Sequence, residues 1–469
     1  VLPAAFPIKK LSDEILLLAG AGSGERSLPT NPANFAAGMN DAARRTKDGL
    51  VMFLPPDLLD MPGGWKARLL SAVIEHPDGV FFYGNYSLRG ESEDSLQTVR
   101  RDIGDITERE DWGVAWAVRT DWLQQIGGLD ETHHRAAFYD LLLRSHGHRV
   151  HVGGSLAVIP APRTDSAAAA VKQKLFFPGR GKLGGFSYLF MDPEEEQHIE
   201  EVFYSFLQRE NAWLDGERTN IPAPAEHGDV LVSVVTPVHN RASFIGKAIE
   251  SVQRQTIADW EYIIVDNGST DKTREVVRDY AARDPRIKLI EYDRNVIAES
   301  LNIGVRAAHG KYIAQLDSDD EYLPHTLEKM TSALAAHPTW GLAISYYELM
   351  DEAGNSLPEF GIVKHERYNR NNILRRDGAG ALRCWHRRVI LEFGGFEEQE
   401  LGHYGEDYDL VLKCGEKYEV GRVHEVCYRY RRHADNTDVL RDPELKIRNK
   451  TIARLNALKR RQEINAVQF

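Results

Sequence analysis

The tract YIAQLDSDDEYLP, residues 312–324, ends a hydrophobic run in three aspartates within four positions. Asp317 and Asp319 stand two apart, with Ser318 between them. At the end of a strand, residues so spaced point to the same side. Two carboxylates on one side repel unless a cation joins them. Hard oxygen ligands of this kind suit magnesium or manganese, ions often shared with substrate phosphates. An isolated Asp-x-Asp is usually a solvated acidic turn. Here it closes a buried-strand pattern, which favours the cation-binding reading. Asp266 closes a second apolar run, WEYIIVDNGSTD. Glu406 and Asp407 open a helical pattern in GEDYDLVLK, where the helix dipole also favours acids.

The elements that must position these residues alternate. VLVSVVTPVHN (230–240) reads as a continuous buried strand. In the next segment Phe244, Ile245, Ala248, Ile249 and Val252 share a helical face. WEYIIVDN, IKLIEYDRN and KYIAQLD continue as strands, separated by the helical stretches KTREVVRDYAARDP and AESLNIGVRAAHG. Strand–helix alternation predicts an α/β fold with a mostly parallel sheet, whose ligands bind beyond the carboxyl ends of the strands.

An internal repeat sets the domain count. With Asn40 placed under Asn302, NDAARRTKDGLVMFLPPDLLDMP lies without a gap beneath NIGVRAAHGKYIAQLDSDDEYLP. Pro62 meets Pro324 and Asp57 meets Asp319, but Pro55 meets Asp317. IGGLDETHHRAAFYDLLLR (126–144) parallels FGGFEEQELGHYGEDYDLVLK (393–413), and DEILLLAGAGSG parallels WEYIIVDNGST, with Ala19 near Asp266. The first copy has no counterpart to the opening strand and helix of the second. The expected divisions are 1–160 as an incomplete first copy, 161–228 as connector and linker, 229–440 as the complete copy, and 441–469 as a basic C-terminal helix. Val1 in place of Met suggests that the natural chain starts upstream.

The chain has 469 residues, enough for two to three domains. A net charge of -12 argues against a nucleic-acid partner. Three cysteines without CxxC spacing suggest a reducing, cytoplasmic setting. No apolar run reaches transmembrane length.

Residues 230–435 resemble the inverting glycosyltransferases of family 2, which have the GT-A fold. VSVVTPVHN, IIVDNGSTD, NIGVRAAHGKYIAQLDSDD, GGFEE and GEDYDLVLK occur in the family's order. Residues 13–155 carry a degenerate form. The resemblance implies two GT-A-like domains, the N-terminal one incomplete, plus a C-terminal helix. It places Thr236 and Pro237 at the nucleotide and Asp266 on the base, commonly uracil. Asn267 stands where many members have a second aspartate. Asp317 and Asp319, with Ser318 between them, would hold Mn2+ or Mg2+ and the donor's ribose and diphosphate. His433 would be a further metal or diphosphate ligand, or else an exposed loop histidine. Asp407 would be the catalytic base, with Glu406 beside it. Trp385, His386 and Glu406 are candidate acceptor contacts. The implied activity moves a hexose or N-acetylhexosamine from a nucleotide-diphosphate donor such as a UDP-sugar to a hydroxyl of a glycan or glycolipid.

The first copy loses this chemistry. Ala19 stands near the base-binding position, Pro55 replaces the first metal aspartate, and Phe138 falls at the base position if Asp140 aligns with Asp409. A non-catalytic role is therefore expected of residues 1–160. The rival readings are a sugar-nucleotide pyrophosphorylase, which TPVHNRASF does not suit because it lacks a Gly-rich basic loop, and an inactive glycan-binding scaffold. Arg431 and Arg432 are candidate diphosphate contacts, and GAGA (378–381) a small-residue approach for an acceptor. The basic helix after residue 440 is read as docked, with an anionic membrane surface as its alternative partner. Association with further copies or with other synthesis proteins stays open.

Overall fold

The computed structural model describes residues 15–19, 32–46, 49–55, 57–90, 93–108, 110–132, 136–161, 193–222, 230–364, 369–376, 378–436 and 440–467. Residues 20–24, 133–134, 175–190 and linker residues 223–229 lie outside these. The chain divides into two compact units, the second running from Ala212 to the C-terminus.

The first unit contains β1 (Ile15–Ala19), α1 (Pro32–Arg45), β2 (Leu50–Leu54), α2 (Trp65–Glu75), β3 (Phe81–Arg89), β4 (Asp94–Gln97), β5 (Trp116–Arg119), α3 (Thr120–Gln125), α4 (Ala137–Arg144), β6 (Arg149–Pro160) and α5 (Pro193–Arg209). The second contains β7 (Val232–Val238), α6 (Ile245–Gln253), β8 (Trp260–Asn267), α7 (Thr273–Ala281), β9 (Ile287–Tyr292), α8 (Ile297–Ala307), β10 (Tyr312–Gln315), β11 (Glu321–Tyr322), α9 (Thr326–Ala336), β12 (Trp340–Met350), β13 (Ile362–Val363), α10 (Ile373–Arg376), β14 (Arg383–His386), α11 (Arg387–Glu392), α12 (Glu406–Lys417), β15 (Glu419–Arg431) and α13 (Pro443–Val467).

In the second unit the strand order is β11-β15-β12-β14-β10-β7-β8-β9, with β13 on β12. β10, β7, β8 and β9 are parallel neighbours, and β8 is buried along its whole length, as its continuous apolar run dictates. The sheet is nonetheless mixed, not mostly parallel. β14 lies antiparallel to both β10 and β12. Its four residues, RCWH, are too few to carry a readable period. α8 and β10 follow directly in sequence, so the Asp-x-Asp segment emerges at the carboxyl edge of the parallel strands.

The first unit repeats part of this pattern. β2 is antiparallel to β5, β5 to β3, β3 runs parallel to β6, and β4 pairs with β3. The second unit has the same relations among β10, β14, β12, β15 and β13. Side chains agree as well. Asn302 donates to Phe396 O and Glu398 Oε1 and accepts from Phe396 N. Asn40 donates to Leu129 O and Glu131 Oε1 and accepts from Leu129 N. Each asparagine sits where the Cβ of a non-glycine residue would collide, under Gly395 (φ 90°) and Gly128 (φ 81°). Asp409 pairs with Lys413 one turn on, and Asp140 with Arg144.

Two placements differ from the sequence reading. β1 pairs with β2 in parallel, taking the place that β7 holds beside β10, although its residues parallel those of β8. Among the described residues β1 covers the edge of β2. α5, read as part of a connector, packs on α4 within the first unit, and Arg209 lies 3.9 Å from Asp140. α13 packs on α12 in the same way, and Arg460 lies 3.5 Å from Asp409. α13 turns several polar side chains inward, Arg454 and Arg461 among them, with Ala453, Ala457 and Leu458. Among the described residues no helix is long and apolar enough to cross a membrane.

One carboxylate ties the amino ends of the parallel strands. Glu261 accepts from Ser233 Oγ (2.7 Å), Lys288 Nζ (2.7 Å) and His309 N (2.6 Å). Burial raises its pKa, but these donors outweigh burial and bring it down from 4.5 to about 2. A depressed carboxylate pKa contributes stability above the unfolded value and loses it as pH falls toward the folded one. Glu261→Gln is therefore expected to destabilise the second unit by on the order of 2–3 kcal/mol at pH 7. In denaturant titrations the difference from wild type should shrink as pH falls from about 4.5 toward 2.

Candidate active site

The acidic loop after β10 is held from several sides. Asp317 is exposed, Ser318 buried, and Asp319 largely enclosed. Oδ2 of Asp319 lies 3.0 Å from His433 Nε2 and accepts from Arg241 Nε at 3.2 Å. Burial raises the Asp319 pKa, but His433 and Arg241 more than offset this and leave it below its usual value. His433 is buried, not an exposed loop residue, and stacks on Phe244 with centroids 4.8 Å apart. Arg241 also donates to Asp435 O. A guanidinium and an imidazole thus meet on one carboxylate oxygen.

Asp320 is the fourth member of the tract and has a different task. It accepts from Tyr428 Oη and from Arg431 N, both at 2.7 Å. Burial, then Asp319 and Asp317, push its pKa well above the usual carboxylate range. Arg431 is fully buried and donates to Asp319 O (2.7 Å), Glu352 O (3.0 Å) and Glu321 Oε1 (2.5 Å). It braces the loop and is not open to a diphosphate. Arg432 is likewise buried, with its guanidinium over the Tyr430 ring.

At the end of β8, Asp266 is completely buried. Its Oδ1 accepts from Ser269 N (3.1 Å) and Arg274 Nε (2.6 Å), while Oδ2 has no partner. A buried carboxylate oxygen left without a donor is costly unless a ligand supplies one. Asn267 turns inward and accepts from Ser300 Oγ. Thr236 is buried, donating to Leu316 O and bonded to Tyr262 Oη, so its hydroxyl serves the sheet. Pro237 beside it is half-buried.

α12 begins at Gly405, whose φ of 93° is left-handed. That turn puts Glu406 and Asp407 in the first helical turn. Asp407 is paired with Arg383 Nη2 of β14 at 2.5 Å and keeps an open side. Glu406 is buried with Oε2 unpartnered. Burial, then Asp407, raise its pKa well above the usual carboxylate range. The neighbouring acceptor candidates are enclosed. Trp385 is fully buried and donates Nε1–H to Gln315 Oε1 at 2.9 Å. His386 is buried edge-on to Tyr312, and burial, then Lys311, lower its pKa to about 4. Both form the floor of the site, because β14 is threaded between β10 and β12.

The first unit is different at the matching places. Pro55 stands for Asp317, and Asp57 is exposed. Phe53, Trp116 and Phe138 take the register of Gln315, Arg383 and Asp407. They form a buried stack, Phe53–Trp116 at 4.2 Å and Trp116–Phe138 at 4.3 Å between centroids, with Phe35 edge-on to all three. Aromatic rings fill the volume where the second unit keeps polar groups.

Among the described residues no three His, Cys, Asp or Glu side chains are already gathered as a metal cluster. The donor set of Asp317, Asp319 and His433 nevertheless suits a hard divalent ion. The 3.0 Å between the Asp319 and His433 donor atoms is the spacing of two adjacent ligands on one ion. Arg241 shares that oxygen and would have to yield it. Sequence reasoning did not find Arg383, Gln315, Asp320, Tyr428 or Arg241. The first two had a signal in the repeat, which replaces them together with Asp407.

Residues 233–391 match the family described as glycosyl transferase family 2. An uncharacterized glycosyltransferase of Methanocaldococcus jannaschii is 33% identical over 209 residues, 43% of this chain and 70% of that protein. A chondroitin synthase of Escherichia coli is 29% identical over 239 residues, 49% of this chain and 34% of that protein. The chain thus spans about a third of that synthase, and 24% of a Pasteurella multocida hyaluronan synthase. A solved structure of S. aureus TarS with UDP-GlcNAc is 17% identical, with 45% of this chain and 62% of that one covered and a TM-score of 0.38, a likeness too distant to carry an argument. The ordered motifs, the mixed α/β sheet that places them on one edge, the family match and the M. jannaschii relative together assign the chain to glycosyltransferase family 2.

Proposed function

We propose that the second unit transfers a sugar from a UDP-linked donor to a hydroxyl of a glycan or glycolipid, with inversion at the anomeric carbon. The observation that carries this reading is the unpartnered, buried Oδ2 of Asp266 on the same sheet edge as the Asp319–His433 pair. A carboxylate oxygen there accepts the ring N–H that uracil offers. The relatives include chondroitin and hyaluronan synthases, which agrees with a role in polysaccharide synthesis.

Asp317, Asp319 and His433 would hold Mn2+ or Mg2+, which when bound offsets charge gathering on the leaving diphosphate. Asp407 removes the proton from the attacking hydroxyl. Its open side and its place at the start of α12 leave it accessible to an acceptor. Glu406, whose pKa is raised by burial and by Asp407, lies beside the base with Oε2 unpartnered. The first unit contributes no second transfer site, because Phe53, Trp116 and Phe138 fill its equivalent. A membrane surface or a partner protein as a further contact of the chain has no support in the placement of α13.

Titration of UDP into the full chain by calorimetry with MnCl2 is expected to show one site per chain; two equivalent sites would contradict the silent first unit. Asp317→Asn or Asp319→Asn should weaken manganese-dependent UDP binding by at least about tenfold. Asp407→Asn should bind UDP as the wild type does while turnover falls by about 10²–10⁴. The screen for that turnover is UDP release from UDP-glucose, UDP-N-acetylglucosamine, UDP-N-acetylgalactosamine and UDP-glucuronate. Wild-type turnover in Asp407→Asn would refute the base assignment.

A further inference from the structure

Arg383 has no role in the reading above, yet it forms an ion pair with the proposed base. Its Nη2 lies 2.5 Å from Asp407 Oδ2, and only about a sixth of its side chain is exposed (17%, against 29% for Asp407). A pair this enclosed is screened less than a surface pair. Oδ1 of Asp407 accepts from the backbone N–H of Tyr408 at 2.6 Å. The two oxygens are therefore fixed from different elements, one by β14 and one by α12.

The repeat provides an independent observation. Trp116 and Phe138 stand at the positions of Arg383 and Asp407, and they too are in contact, at 4.3 Å between centroids. Gln315, next to Arg383 across β10 and β14, is matched by Phe53, which stacks on Trp116. Other paired features survive in both units, among them the Asn40 and Asn302 networks and the Asp140 and Asp409 ion pairs. Those features hold the fold. The Arg383–Asp407 pair is instead exchanged as a block, in the unit that also replaces the first metal aspartate by Pro55. A pair needed only for packing would be expected among the retained features.

We infer that Arg383 is a positioning residue for the transfer step, whose guanidinium aims the Asp407 carboxylate at the acceptor hydroxyl and neutralises its charge before the proton arrives. This rests on Asp407 being the base. Neighbouring acids make the cation necessary. Glu406 precedes Asp407, and burial, then the charges of Asp407 and Asp317, raise its pKa. On this reading the guanidinium acts through Asp407. Its removal should leave UDP binding alone and act on turnover through Asp407.

The test uses the full chain with Arg383→Gln and Arg383→Lys. Arg383→Gln should lower kcat by at least about 30-fold, with KM for the donor and the calorimetric Kd for UDP with MnCl2 within about twofold of wild type. Arg383→Lys keeps the charge but not the planar fork, and should recover about tenfold of that loss. A kcat for Arg383→Gln within threefold of wild type would overturn the inference, as would a parallel loss of UDP binding. The pairing is also read without turnover. In urea denaturation, Arg383→Gln, Asp407→Asn and the double variant should be non-additive, and additive changes would overturn it. Failure of the base assignment looks different, because Asp407→Asn would then stay active whatever Arg383 does.

Discussion

The second unit depends on holding like charges together at the end of one strand. Asp317, Asp319 and Asp320 occupy four consecutive positions with Ser318. The fold does not spread them apart. It gives each a separate environment. Asp320 is buried and bonded by Tyr428 and Arg431 N, and burial, then Asp319 and Asp317, raise its pKa. Asp319 is kept ionised by His433 and Arg241. Asp317 stays exposed to solvent. The long strand β15 is the reason this is possible, because Tyr428 and Arg431 come from its end and His433 follows directly. Arg431 then clamps the loop through the Asp319 carbonyl.

The same principle operates at the start of α12. Glu406 and Asp407 are adjacent acids in a partly buried site. Glu406 is pushed toward the neutral form by burial and by Asp407, while Asp407 is paired with Arg383. In both places two neighbouring carboxyl groups have been given different surroundings, one by burial and one by a basic partner. That separation of roles is what acid–base and metal chemistry require of clustered acids. The first unit shows the alternative. Its matching positions hold aromatic rings, which pack with no charge to manage.

Much of the second unit was legible in sequence, because β7, β8 and β10 are continuous apolar runs between amphipathic helices. Asp266, Asp317 and Asp319 came to one sheet edge because that alternation fixes the edge. The antiparallel β14 was not legible. Four residues carry no period, and the consequence was misplacing Trp385 and His386, which lie in the floor. Thr236 lies two residues inside the end of β7, where its hydroxyl is taken up by Leu316 O and Tyr262 Oη, contacts that only the tertiary pairing reveals. His433 lay at the end of a segment with no periodic signal, and only the tertiary path of β15 buries it. In the first unit, the Asn40–Asn302 alignment was readable over 23 ungapped residues, but β1's place beside β2 was not. Pairing partners of an edge strand are set by what is missing from the sheet, and sequence similarity does not report that.

The account's central claim is that a hydroxyl, activated by Asp407, attacks the face of the sugar opposite the departing diphosphate. Proton NMR of the product at early times, from a UDP-α-sugar that the chain turns over, tests it most directly. The account predicts a β-configured product, recognised by the larger anomeric coupling of a gluco- or galacto-configured sugar. An α-configured first product would mean retention, and would contradict both single-step attack and the role assigned to Asp407.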